Sequence, residues 1–271
     1  MGLMRYLGIS YKAVEDLDSV FTENLLVFKW LQILATVMLF VLPSLMLSRY
    51  ASDSWINFFR QSAVIRQRVL LSLLGLSLLF PVVAVSFKIN SALQLPDSLN
   101  WLEEWMRSEE ANKEKLTLLF LQMGGMPSFM LNMLMIALVP AIGEELLFRG
   151  GLQHLLIIGK MQTHLAIILS AFLFSAIHFQ FYGFLPRMII GLYLGYLYYY
   201  GANIFYSILC HFLNNGLQVL LVFAGLQPLD ENSTASLPAM NAGFYALAAC
   251  CVVGIVVILY LYRRSSVLVN G

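Results

Sequence analysis

Glu144, Glu145 and Arg149, then His178, then His211 and Asn215, recur at helical spacings through the most apolar half of this chain. Carboxylates, imidazoles and amides are the side chains that move protons and stabilise charge developing on a carbonyl. At membrane depth an ionisable residue costs roughly 2.5–3.5 kcal/mol even on lenient insertion scales, so such residues mark a functional interior rather than a lipid face. Glu145 and Arg149 are four apart, share one face of a helix and can form an ion pair. Glu144 lies about 100° round the same helix. With no cation at pairing distance in sequence, it is the candidate general base. Alone, the three residues could equally be a charge cluster at a helix end. His178 on the next helix, and His211 with Asn215 at i, i+4 on a later one, place polar groups on three separate apolar helices, and a bundle core is where such groups converge.

The motifs read in order as Glu144-Glu145-Leu146-Leu147-Phe148-Arg149, Phe174-Ser175-Ala176-Ile177-His178 and His211-Phe212-Leu213-Asn214-Asn215. As an ordered set they resemble those of the CPBP family of intramembrane proteases, which includes the CAAX prenyl endopeptidases and bacteriocin-processing or immunity enzymes. The resemblance covers roughly residues 137–221 and implies an intramembrane glutamic endopeptidase. In it Glu144 and His178 would activate a water, His211 and Asn215 would act as oxyanion donors, and Glu145 with Arg149 would support the geometry. The implied partners are the bilayer and a peptide or protein substrate, membrane-anchored or lipidated. Two histidines and a glutamate are also a zinc set. There is no His-Glu-x-x-His, however, and the residue near the second histidine is an amide, a poor zinc ligand. A metal-free site without cofactors is therefore expected, with a zinc protease as the alternative. A non-catalytic immunity or transport protein using the same polar groups is the other rival; neither repeat symmetry nor paired discontinuous helices, which would favour a transporter, is visible.

The elements that must position these groups follow from composition. Of 271 residues 60% are hydrophobic and 11% charged, with a mean hydropathy of +0.78, whereas a soluble domain carries about 25% charged residues. This predicts an all-α polytopic helical bundle of seven or eight spans. A formal net charge of +1 gives no electrostatic case for nucleic acid. The N-terminal stretch before Lys29 has no apolar block long enough for a signal-peptide core. Cys210 and the adjacent Cys250 and Cys251 read as buried small hydrophobes rather than a disulfide framework.

Residues 1–115 are expected to form N-terminal membrane helices with an interfacial amphipathic insert, and residues 116–271 the catalytic core of one integral membrane domain. Lys29–Ser48, Val69–Lys88 and Phe244–Tyr262 are long enough to span. Between them Trp101, Trp105, Leu99, Leu102 and Met106 suggest an amphipathic helix in the interface, with a solvated loop as the alternative. Pro140 lacks a backbone donor, so the simplest reading ends one helix near it and starts another with the glutamates; a single bent helix from Pro127 to Ile158 is the other. The remaining helices are expected at about His164–His178, Leu185–Tyr200 and Ile204–Ala224. Arg263 and Arg264, with Lys160, place the C-terminus in the cytoplasm, in what is expected to be a bacterial inner membrane; the early loops disagree on sidedness. His154 and His164 read as interfacial, Tyr193, Tyr196, Tyr198, Tyr199 and Tyr200 as an aromatic belt, and Gly191 and Gly195 as a close helix contact. Residues 180–187 follow His178 as a turn at the rim, where Arg187 could meet a substrate carboxylate.

Overall fold

A computed structural model of the chain describes residues 23–51, 59, 62–226 and 240–267. Expectations for the N-terminal charges and for much of the 49–68 connection fall outside these residues. Eight helices form the described fold, and no strand occurs among the described residues. Helix α1 runs Leu25–Thr36, continues through a π-helical turn at Val37–Val41, and ends with Leu42–Ala51. Then come α2 (Arg66–Ser91) and α3 (Asn100–Phe120). Helix α4 (Met126–Ile158) is followed by α5 (Thr163–Ala176), α6 (Phe184–Gly201), α7 (Phe205–Phe223) and α8 (Ala242–Val267).

Five helical segments are long and apolar enough to cross a membrane: Leu25–Arg49, Arg66–Ser91, Met126–Ile158, Phe205–Phe223 and Ala242–Arg264. Large apolar side chains such as Leu39, Leu70, Leu74, Val253 and Val256 project outward from these spans, as expected of a helix whose solvent is lipid. The chain is an integral membrane protein. Its core is built around α6, where Leu194 and Leu197 pack with Leu76 and Leu79 of α2, Tyr206 and Cys210 of α7 and Tyr262 of α8.

Three sequence expectations change here. Helix α4 does not break at Pro140; it is continuous over 33 residues. Two π-helical segments, Met133–Leu138 and Leu146–Gln153, flank the proline, and such bulges often accompany functional sites. The aromatic belt also dissolves: Tyr193 and Tyr198 are buried and only Tyr199 of the five is exposed, because successive residues turn by about 100° on a helix and cannot share one face. Cys210 and Cys251 are buried as expected, but Cys250 is exposed, turned about 100° round the helix from its neighbour. Of the amphipathic segment, Leu99 closes a 3₁₀ turn (Asp97–Leu99) and Trp101, Leu102, Trp105 and Met106 lie in α3; none of the five is buried, and Leu102 and Met106 are half-buried.

Candidate active site

Glu144 and Glu145 sit where the α-helical stretch Val139–Glu145 of α4 passes into the second π segment. Both are buried, Glu145 completely. Glu145 Oε1 accepts a hydrogen bond from Arg149 Nη1 at 2.7 Å, the i, i+4 pair read from sequence. The same oxygen accepts from His211 Nδ1 at 2.8 Å. Arg149, itself completely buried, donates its other terminal nitrogen to the carbonyl of Gly191 at 3.0 Å and lies 4.5 Å over the ring of Phe174. One helical turn on, Gln153 donates to Gly195 O at 3.0 Å. This close approach explains the glycines: a Cβ on Gly195 would stand 2.8 Å from Gln153 Oε1 and 2.9 Å from Ile167.

Glu144 takes the other direction. Its Oε2 lies 3.9 Å from Nε2 of His178 and 3.9 Å from Nε2 of His211. No hydrogen-bond partner reaches this buried oxygen among the described residues, an arrangement that costs free energy unless the site uses it. The imidazole orientations are set from behind. His178 Nδ1 lies 2.8 Å from the carbonyl of Phe174, and a carbonyl can only accept, so Nδ1 carries the proton and the Nε2 lone pair faces Glu144. His211 Nδ1 donates to the Glu145 carboxylate, and a ring that donates from Nδ1 can donate from Nε2 as well only as an imidazolium.

Phe174 is the hub that sequence reading left without a role. Its carbonyl fixes His178, its face receives Arg149, and its ring meets both His178 and His211 edge-on at 5.3 and 5.8 Å. The only hint in the sequence is its place four residues before the histidine. His178 does not end a helix as expected. Helix α5 stops at Ala176, the His178 amide bonds back to Ser175 O, and Phe179 takes a left-handed φ of 49°. This tight turn swings the imidazole back toward Glu144.

Asn215 reaches the site through its neighbours. Its Oδ1 accepts from Asn214 at 3.1 Å, which orients the amide, and its Nδ2 donates to Ile136 O at 3.2 Å. Glu144, His178 and Asn215 line one cleft of about 450 Å³, whose apolar wall includes Leu116, Phe120, Met135 and Pro140. His211 stands behind that lining.

Helix α3, distant in sequence, grips the turn that carries His178. Lys113 Nζ donates to the His178 carbonyl, the Tyr182 amide donates to Glu110 at 3.4 Å, and Trp105 packs on Phe181 at 5.3 Å. From α2, Asn90 donates to Phe181 O at 2.6 Å and accepts from Leu185 N at 3.0 Å. Burial lifts the Glu110 carboxyl above its ordinary range and lowers the Lys113 ammonium below its own. No sequence motif marked Lys113, Glu110 or Asn90. His164 bonds Tyr196 at the exposed start of α5, and His154 lies against Tyr198; neither joins the site.

Residues 126–217 match the family described as Rce1-like, type II CAAX prenyl endopeptidase. This stretch contains all three motifs and every side chain of the glutamate–histidine cluster. No curated protein and no solved structure matches the chain.

Proposed function

From the membership of the 126–217 segment in the Rce1-like type II CAAX prenyl endopeptidase family, we propose that the protein hydrolyses a peptide bond at or within the bilayer with water activated by Glu144 and His178. One observation carries this reading: the buried, unpartnered Glu144 Oε2 faces the ring nitrogens of two histidines at 3.9 Å. A water accepted by Glu144 Oε2 would meet the His178 lone pair, so the two groups share the proton removed as oxygen attacks the scissile carbonyl. His211, held by Glu145, would donate from Nε2 to the oxyanion, and the second N–H of Asn215 would be the other donor. Arg149 balances the charge of Glu145 from a fixed position on Gly191. The proton taken from water then passes to the leaving amine.

No metal enters this scheme. The Oδ1 and one N–H of Asn215 are already bonded, and a neutral amide is a poor zinc ligand. The substrate is a peptide or protein presented at the membrane, anchored or lipidated, and the C-terminal Arg263 and Arg264 face the cytoplasm of a bacterial inner membrane. The test is cleavage by the purified chain, reconstituted in bilayers, of prenylated and leader-type peptides, with the fragments identified by mass spectrometry. Fragments from the native chain and none from Glu144→Gln are expected; equal cleavage by both would remove Glu144 from the chemistry.

A further inference from the structure

Lys29 is a buried cation that the hydrolytic scheme does not use. It is 3% exposed, although it stands only four residues, about 6 Å, past the start of the Leu25–Arg49 span. A lysine near the end of a span ordinarily extends its ammonium outward to the interface. This one turns inward. Its Nζ donates to the carbonyl of Gln122 at 3.1 Å, just beyond the end of α3, and no carboxylate lies within ion-pair distance of it among the described residues. An ammonium has three donors, so two remain for an anion.

The space beside Lys29 is a cavity of about 680 Å³ between α1, the α3–α4 connection and the start of α4, a size typical of small-molecule sites. Leu25, Leu26, Met123, Pro127 and Leu131 give it an apolar wall. At Gly124, which also lines it, an added Cβ would meet nothing within 4 Å, so no described side chain fills the space there. The cavity shares no lining residue with the catalytic cleft.

A buried cation without a counter-ion is costly unless an anion arrives. We propose that this cavity is a phospholipid site, with the lipid phosphate on Lys29 and the acyl chains along the wall of Leu25, Leu26 and Leu131. Basic pockets between spans take lipid headgroups in this way. Lys29 stands at the end of its span, where the phosphates of a bilayer lie, and the neighbouring Leu26, Met126 and Met130 are exposed, as residues facing hydrocarbon are. A dissolved phosphate carries the same charge but gains nothing from an apolar wall. Lipid binding here does not depend on hydrolysis in the cleft.

The experiment titrates the full chain, delipidated in dodecyl maltoside, with dioctanoyl phosphatidylglycerol, and reads bound lipid by native mass spectrometry and stability by thermal unfolding. Dioctanoylglycerol, which has the chains without the phosphate, and inorganic phosphate are the comparison probes, and both should bind far more weakly. Lys29→Met should weaken phosphatidylglycerol binding roughly 10–100-fold, the range for hydrogen bonds to a charged group. Lys29→Arg should restore it, and Lys88→Met, which removes an exposed cation from α2, should leave it unchanged. Without lipid, Lys29→Met should unfold at no lower temperature than the parent, because it relieves an uncompensated charge; at saturating lipid the parent should be the more stable, because ligand binding stabilises the state that binds. Equal affinity of Lys29→Met and the parent for phosphatidylglycerol overturns the proposal. Dioctanoylglycerol binding as tightly as phosphatidylglycerol also overturns it, since the phosphate would then have no part. Inorganic phosphate binding as tightly would assign Lys29 to a free anion and remove the lipid.

Discussion

The side-chain amide of Asn215 donates to the main-chain carbonyl of Ile136 at 3.2 Å, the acceptor four residues before Pro140. A proline ring has no N–H to offer that carbonyl. The third motif is thereby fastened to the helix that carries the first, at the carbonyl that the proline leaves without its backbone donor.

Asn215→Ala should therefore have two effects. Loss of an oxyanion donor should lower kcat by roughly 10²–10³ with little change in substrate affinity. An Ile136 carbonyl left short of a donor should also cost about 1–3 kcal/mol of stability. Pro140→Ala supplies a backbone N–H nearby, so the stability cost of Asn215→Ala should shrink in that background. Fully additive costs in a thermal-unfolding cycle in detergent would separate Asn215 from the proline gap.

The two glutamates should fail differently. Glu144→Gln removes the group that faces both Nε2 atoms and leaves Arg149 paired, so turnover should vanish while the melting temperature stays close to that of the native chain. Glu145→Ala strips a completely buried Arg149 of its anion and His211 of its acceptor, and breaking a buried pair this way costs about 3–5 kcal/mol. Thermal unfolding of both variants side by side decides the matter; equal destabilisation would mean that the glutamates share one role.

A pH dependence follows from Lys113. Burial lowers its ammonium from the ordinary lysine value, with Arg187 acting in the same direction and Glu109 and Glu110 opposing. A lowered lysine is charged below its shifted value and neutral above it. The hold of Lys113 on the His178 carbonyl should thus weaken as pH rises through that value, earlier than an exposed lysine would allow, and turnover should fall with it. His178 and Glu144 also face this end of the cleft, so the Lys113→Met variant is the control: its turnover should lack that alkaline fall. Parallel pH profiles for the native chain and the variant would exclude Lys113 as the titrating group.

Exhaustive dialysis against a strong chelator should leave activity intact, with zinc well below one equivalent by elemental analysis. One equivalent of tightly held zinc, lost and restored together with activity, would overturn the metal-free scheme and recast His178, His211 and Glu144 as its ligands.

The positions of the spans and the pairing of Glu145 with Arg149 were legible in the chain, because both depend on local periodicity: runs of apolar residues that must leave water, and a four-residue spacing that returns to one helix face. The set of polar groups bound for one site was legible too, since hydrocarbon makes each of them expensive anywhere else. Only the tertiary structure decided how they divide. That His211 backs onto Glu145, that Glu144 stands between two ring nitrogens, and that α3 brings Lys113 to the carbonyl of His178, 65 positions away in sequence, all depend on how helices pack, which no local pattern encodes. Whether α4 breaks at Pro140 or runs on as the single helix given as the alternative was left open by the sequence for the same reason. A proline breaks the bonding of its own helix, and whether the freed carbonyl is satisfied depends on a side chain 79 residues away.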